Sequence, residues 1–147
     1  MPGKCWNRTI CGALCGVALL LGGASAAQAA SAKEAARELI SDYLMEATHT
    51  AGMVTVEQAR GDLRGALFVD MREAPQYQAS HIEGAIHKEW REALEDMDEI
   101  PDDRMVILYC GTGALSAQAG FAMRMLGKRN VLILRGGYED WVKAGAK

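Results

Sequence analysis

The chain has 147 residues, room for one domain, and no internal repeat is visible. Its 16 Lys and Arg face 19 Asp and Glu, a formal charge of −3 with no basic stripe, which argues against nucleic acid as a partner. The first thirty residues read as a secretory leader: Lys4 and Arg8 with no acid, the apolar stretch "TICGALCGVALLLGG", then the small residues of "ASAAQAA". The apolar stretch is shorter than the ~20 residues that span a bilayer, so cleavage is expected and membrane attachment only if the leader stays. Ala27-Gln28-Ala29 fits the small-x-small cleavage rule, with Ala24-Ser25-Ala26 as a second choice. The expected division is 1–29 signal peptide, 30–52 N-terminal helix and linker, and 53–147 folded domain, with the periplasm as destination. Cleavage removes Cys5, Cys11 and Cys15 and leaves Cys110 alone, so no internal disulfide can form. It also removes two of the 16 basic residues, so 14 face 19 acids and the mature charge is −5.

In the mature chain, "SAKEAARELISDYLMEA" has helical apolar spacing over 31–47, with Ser31 and Glu34 as a capping box. After Gly52, "MVT" is a possible short strand, and Thr55 caps a brief helix through "VEQARG". "ALFVD" (66–70) is a continuous apolar run, read as a buried strand. "APQYQAS" is a helical turn begun by Pro75, and "GAIHK" (84–88) is another strand candidate. "REALEDMDEI" is expected to be an acidic amphipathic helix closed by Pro101. "MVILYC" (105–110) is the clearest strand. The helix expected over 114–126 carries Leu115, Ala119, Ala122 and Leu126 on one side and stops at Gly127. "VLIL" (131–134), a Gly136-Gly137 turn and a helix over "YEDWVKAG" complete the chain. Strands alternate with helices and the central strands are apolar throughout, which predicts an α/β fold with a parallel sheet covered on both faces. Cys110 and Asp70 each end a strand, at the edge where ligands bind in such sheets.

The stretch "YCGTGALS" therefore places a cysteine where a strand stops and a helix starts. A helix N-terminus presents main-chain N–H groups that no helical carbonyl uses, and Gly111 and Gly113 let the chain curl so that they converge. A thiol there faces positive potential, which lowers its pKa and suits nucleophilic attack on an anionic substrate. A free cysteine is more often an inert core residue; the loop composition and sheet-edge position favour the reactive reading. His49, His81 and His87 have no cysteine or carboxylate at metal-ligand spacing, and His87 reads as a packed or hydrogen-bonded residue. Trp90, Trp141, Tyr77 and Tyr138 read as packing residues, and the acids of 89–103 as a solvated helix face.

Three stretches in order resemble the rhodanese family: "VDMREAPQYQASHIEGAIH" (69–87), "VILYCGTGALSA" (106–117) and "VLILRGGYEDWVKAG" (131–145). The resemblance runs from about residue 53 to the C-terminus and, with the leader, is similar to the single-domain exported members. It implies a single α/β domain with a five-stranded, mainly parallel sheet and helices on both faces. It also implies sulfurtransferase chemistry. Cys110 would take a sulfane sulfur from thiosulfate or a persulfide or polysulfide, become a persulfide, and pass the sulfur to a thiol or cyanide. No metal or organic cofactor is implied. The N–H groups of Gly111, Thr112, Gly113, Ala114, Leu115 and Ser116 would hold the sulfur, with Arg72 beside them and Asp70 bracing the loops. Leu115 and Gln76 stand where many members carry a basic side chain, so the pocket is expected to rely on main-chain donors and Arg72. Such a pocket should weaken a dianion such as thiosulfate more than a persulfide. A non-turnover sulfur carrier or interaction module on the same fold is the alternative. A phosphatase or arsenate reductase would need a longer loop and an arginine, which Leu115 and Ser116 do not supply.

Overall fold

The computed structural model describes residues 26–48 and 52–145. The basic end and apolar core of the expected leader, and His49, lie outside the described residues. The chain divides after Ala35 into two units, and everything below concerns the second, Ala36–Lys147, apart from the start of the first helix. That helix, α1 (Ala26–Glu46), begins ahead of Ser31, which therefore lies inside it and does not cap it. The reason is local, since the alanine-rich run before Ser31 is made of the strongest helix former. Among the described residues no helix is long and apolar enough to cross a membrane.

Five strands follow: β1 (Met53–Val54), β2 (Leu67–Asp70), β3 (Ile86–His87), β4 (Val106–Tyr109) and β5 (Val131–Leu134). They form one sheet in the order β1-β5-β4-β2-β3, and every neighbouring pair is parallel. β2 and β4 are buried at every residue, as expected for strands covered on both faces. Alternate residues serve two cores. Phe68, Ile107 and Tyr109 join Val56, Ala59 and Trp141 on one face; Leu67, Val69, Val106 and Leu108 join Ala119 and Met123 on the other. The covering helices are α2 (Val56–Arg60), α4 (Ala114–Met125) and α5 (Gly137–Lys143), while α3 (Ala74–Ala79) buries no side chain. Thr55 opens α2 with a complete capping box: its hydroxyl accepts from Gln58 N at 3.3 Å, and Gln58 Oε1 accepts from Thr55 N at 2.9 Å.

Two expectations are corrected. Residues 91–100 form no α-helix, only successive turns and one 3-10 turn at Met97–Glu99. In a helix Glu92 would stack on Asp96, and Glu95 on Glu99, as like charges four apart. The turns instead bury Ala93 and Ile100, and let Lys88 pair with Asp96 at 3.2 Å and Glu99 at 2.6 Å. On α4 the buried face is Ser116, Ala119, Gly120 and Met123, whereas Leu115 and Leu126 are exposed. Gly120 sets this orientation, because a Cβ there would stand 2.5 Å from Ile133 Cδ1 on β5. The face nearest the sheet is chosen by the smallest side chain, and hydropathy alone does not reveal it.

The connections leaving β2 and β4 diverge. β2 leads to β3 at one edge, and β4 leads through α4 to β5 on the other side. The carboxyl ends of these neighbouring strands therefore flank the switch point of the sheet, where open α/β sheets form a crevice.

Candidate active site

Cys110 follows β4 directly and is 2 % exposed. Past it the backbone turns through Gly113, whose φ of +95° is left-handed and whose Cβ, if present, would stand 3.0 Å from Leu134 O. The turn aims Gly113 N at the sulfur, which accepts from it at 3.2 Å. Ser116 Oγ lies 3.8 Å from Sγ and also donates to Gly113 O at 3.1 Å, so one proton is divided between loop and thiol. Burial pushes the Cys110 pKa up. The main-chain N–H of Ser116, the Ser116 hydroxyl and the N–H groups of Leu115 and Thr112 outweigh burial and hold it below the ordinary cysteine value.

Two of the loop's carbonyls are taken up by α5. Tyr138 N donates to Cys110 O at 2.8 Å, and Glu139 N donates to Gly111 O at 3.0 Å. The two backbones approach so closely that a Cβ on Gly137 would stand 2.4 Å from Cys110 O and 2.6 Å from Gly111 O. Gly137 also has φ +58°. Gly137→Ala is therefore expected to cost about 2–5 kcal/mol, from a left-handed alanine (roughly 1–2) and overpacking (roughly 1–3). A urea midpoint that implies less than about 1 kcal/mol would show that the contact can relax.

Cys110, Gly111, Thr112 and Leu115 line a cavity of about 220 Å³ at this edge, and Arg72 lines it with them. Gly113 and Ser116 lie behind the sulfur and touch it directly; Ala114 opens α4 and is absent from the cavity lining. Arg72 is 7 % exposed, and Asp70 is fully buried beneath it. Arg72 Nε donates to both Asp70 carboxylate oxygens at 2.9 and 3.1 Å, and Nη2 donates to Asp70 Oδ2 at 2.5 Å and Ser80 O at 2.6 Å. Its guanidinium carbon lies 4.1 Å from the Tyr138 ring centroid and 5.7 Å from that of Tyr109. Burial lowers the Arg72 pKa, but the Asp70 pair more than offsets it, and the group stays charged. Around this pair, His87 Nε2 bonds Arg72 O at 2.7 Å, Tyr77 donates to Ala85 O at 2.8 Å, and Ile82 N donates to the Tyr109 hydroxyl at 3.1 Å. His87 and Tyr77 thus pack and bond as expected.

The cavity has three lining residues that motif reading does not supply. Trp90 and Arg91, from the β3–β4 connection, and Glu73, at the start of α3, share the wall with Cys110. The helix expected over residues 91–100 would make Arg91 part of a solvated face. The turns that replace it bring the side chain to the thiol's cavity. Among the described residues no cluster of three or more His, Cys, Asp and Glu is placed to hold a metal.

This constellation can be compared with known proteins. Residues 55–144 match the model of the rhodanese-like domain. The chain belongs to that family. Among the relatives of this rhodanese-like domain, a protein named sulfurtransferase from Allochromatium vinosum is 34% identical over 91 residues, 62% of this chain and 85% of that protein. The thiosulfate sulfurtransferase GlpE of Pseudomonas fluorescens is 35% identical over 78 residues, 53% of this chain and 72% of that protein. A rhodanese-related protein from Thermoplasma volcanium has the same fold, with a TM-score of 0.61 at 21% identity, covering 65% of this chain and 94% of that one. The single α/β domain with a five-stranded parallel sheet is the family's architecture.

Proposed function

We propose that this rhodanese-like domain is a sulfurtransferase that works through a persulfide on Cys110. The observation that carries the reading is the setting of the thiol, at the edge of a cavity and ringed by main-chain N–H donors that favour its anion. The thiolate sulfur attacks the outer sulfur of the donor, thiosulfate or a persulfide or polysulfide. A new S–S bond forms, the donor's S–S bond breaks, and sulfite or a thiolate leaves with the electron pair. The N–H groups of 111–116 then hold the added sulfur, and Asp70 keeps Arg72 in place beside it. A thiol or cyanide takes the outer sulfur and returns Cys110 to the thiolate. The carrier is the cysteine itself, with no metal or organic cofactor in the cycle. Relatives named sulfurtransferase and thiosulfate sulfurtransferase support this reading. The direct test is intact mass after treatment with thiosulfate or polysulfide. A gain of one sulfur, reversed by cyanide, is expected, and no gain from any donor would sink the proposal. Repeated turnover with several acceptors separates an enzyme from a carrier that loads once.

We also propose export to the periplasm with cleavage after residue 29. Lys4 and Arg8, the apolar stretch and the small residues before Ala30 support it. Terminal sequencing of the protein from the cell envelope should start at or near Ala30. An intact Met1 on cytosolic protein would count against export.

A further inference from the structure

The loop that holds Cys110 contains no basic residue, and the Arg72 charge is met by the Asp70 carboxylate. The cavity nevertheless has a second guanidinium on its wall. Arg91 is 59% exposed, and its guanidinium carbon lies 4.8 Å from the Trp90 ring centroid, on a side chain partly buried against the core. Its Nη1 is 2.7 Å from Glu89 Oε1 and 3.9 Å from Glu73 Oε1. The two carboxylates differ. Glu89 is 16% exposed, and the short contact holds the guanidinium; Glu73 is 67% exposed and only grazes it. An exposed pair of that length contributes little and is easily displaced by another anion. The mouth therefore offers one guanidinium anchored on a ring and a loosely held carboxylate next to it, both lining the cavity of the thiol. Counting the inner pair, two guanidiniums face three carboxylates. That balance is net negative by one and opposes a dianion; a single negative charge is held only where it meets Arg91 directly, in place of the loosely held Glu73 carboxylate.

We propose that Arg91 and Glu73 form a charge filter at the mouth of the cavity, in which Arg91 admits co-substrates bearing an anionic head group and Glu73 disfavours dianions. The filter rests on Cys110 being the reacting group and deepens the sulfurtransferase reading by naming the class it selects: monoanionic persulfides and thiols ahead of thiosulfate. An ordinary surface ion pair at the same place would leave reactivity at Cys110 indifferent to the charge of the reagent.

The test compares alkylation of Cys110 by iodoacetate, an anion, and iodoacetamide, its neutral counterpart, in the purified protein. In Arg91→Gln the ratio of the iodoacetate to the iodoacetamide rate is expected to fall about threefold or more, and in Glu73→Gln to rise by about as much. Both shifts should shrink in high salt, since the mouth is open to solvent. The KM for thiosulfate should move in the same sense, rising in Arg91→Gln and falling in Glu73→Gln. A ratio unchanged in both variants, or moved in the same direction by both, would overturn the filter, because a structural role does not invert sign with the charge removed. Sulfur loading measured in parallel separates the two ideas. A ratio that moves as expected without sulfur gain from any donor refutes the persulfide reading and keeps the filter. Normal loading with an unmoved ratio does the reverse.

Discussion

Cys110→Ser is expected to abolish sulfur loading while leaving the fold intact. The serine hydroxyl occupies a little less volume than the thiol and still accepts from Gly113 N, so the turn keeps its hydrogen bond. It does not ionise near neutrality and forms no transferable S–S bond, so the mass gain after donor treatment should vanish entirely. The pH dependence supplies a second readout. Burial raises the thiol's pKa, and the donors of Ser116, Leu115 and Thr112 overcompensate, so the alkylation rate should titrate below the value of a free cysteine, about 8.5. Stability follows from the same shift. The native state gives up its proton at a lower pH than the unfolded chain, so the contribution is complete above the unfolded pKa and is lost as pH falls through the native one. Cys110→Ser should flatten stability in that window. An alkylation profile with the pKa of a free thiol, or sulfur loading in the serine variant, would remove Cys110 from the chemistry.

Asp70→Asn should be the most destabilising of the isosteric changes near the site. Asp70 is fully buried and accepts from the Arg72 main chain at 3.0 Å as well as from its guanidinium. Asparagine keeps the shape but removes the charge, leaving the Arg72 cation 7 % exposed without its counter-ion. Breaking a buried pair from one side typically costs about 3–5 kcal/mol, a large part of the ~5–15 kcal/mol that holds a domain together. The urea midpoint should fall with little change in slope. The double variant Asp70→Asn with Arg72→Met should recover part of the loss, because the stranded charge is gone. If the single change costs less than about 1 kcal/mol, or the double variant is worse, the pair does not brace the crevice in the way described.

The strands were legible because burial on both faces leaves an unbroken apolar run: "LFVD", "VILY" and "VLIL" became β2, β4 and β5 within a residue or two of the expected ends. The Cys110 loop was legible for a related reason, since its donors are contiguous in the chain and their convergence follows from local geometry alone. Residues 91–100 misled because their apolar spacing suits a helix, while the charges that forbid it and Lys88, which rearranges them, act outside that pattern. The misreading carried over to the site. Arg91 and Glu73 meet only because two connections from different strands fold over the same edge, and no spacing in the sequence records that approach. On α4, the side that carries Leu115, Ala119, Ala122 and Leu126 is buried only at Ala119, and the sheet accepted the face of Ser116, Gly120 and Met123, which could come closest.

The clasp of α5 on the carbonyls of Cys110 and Gly111 also sets a time order. Tyr138 and Glu139 are among the last described residues to leave the ribosome, well after the cysteine itself. Until they arrive, the hydrogen bonds to those two oxygens cannot form, and the nascent chain carries its cysteine without the finished setting. A chain clipped ahead of α5 would thus retain its cysteine but not the two main-chain contacts that fix the start of the loop around it.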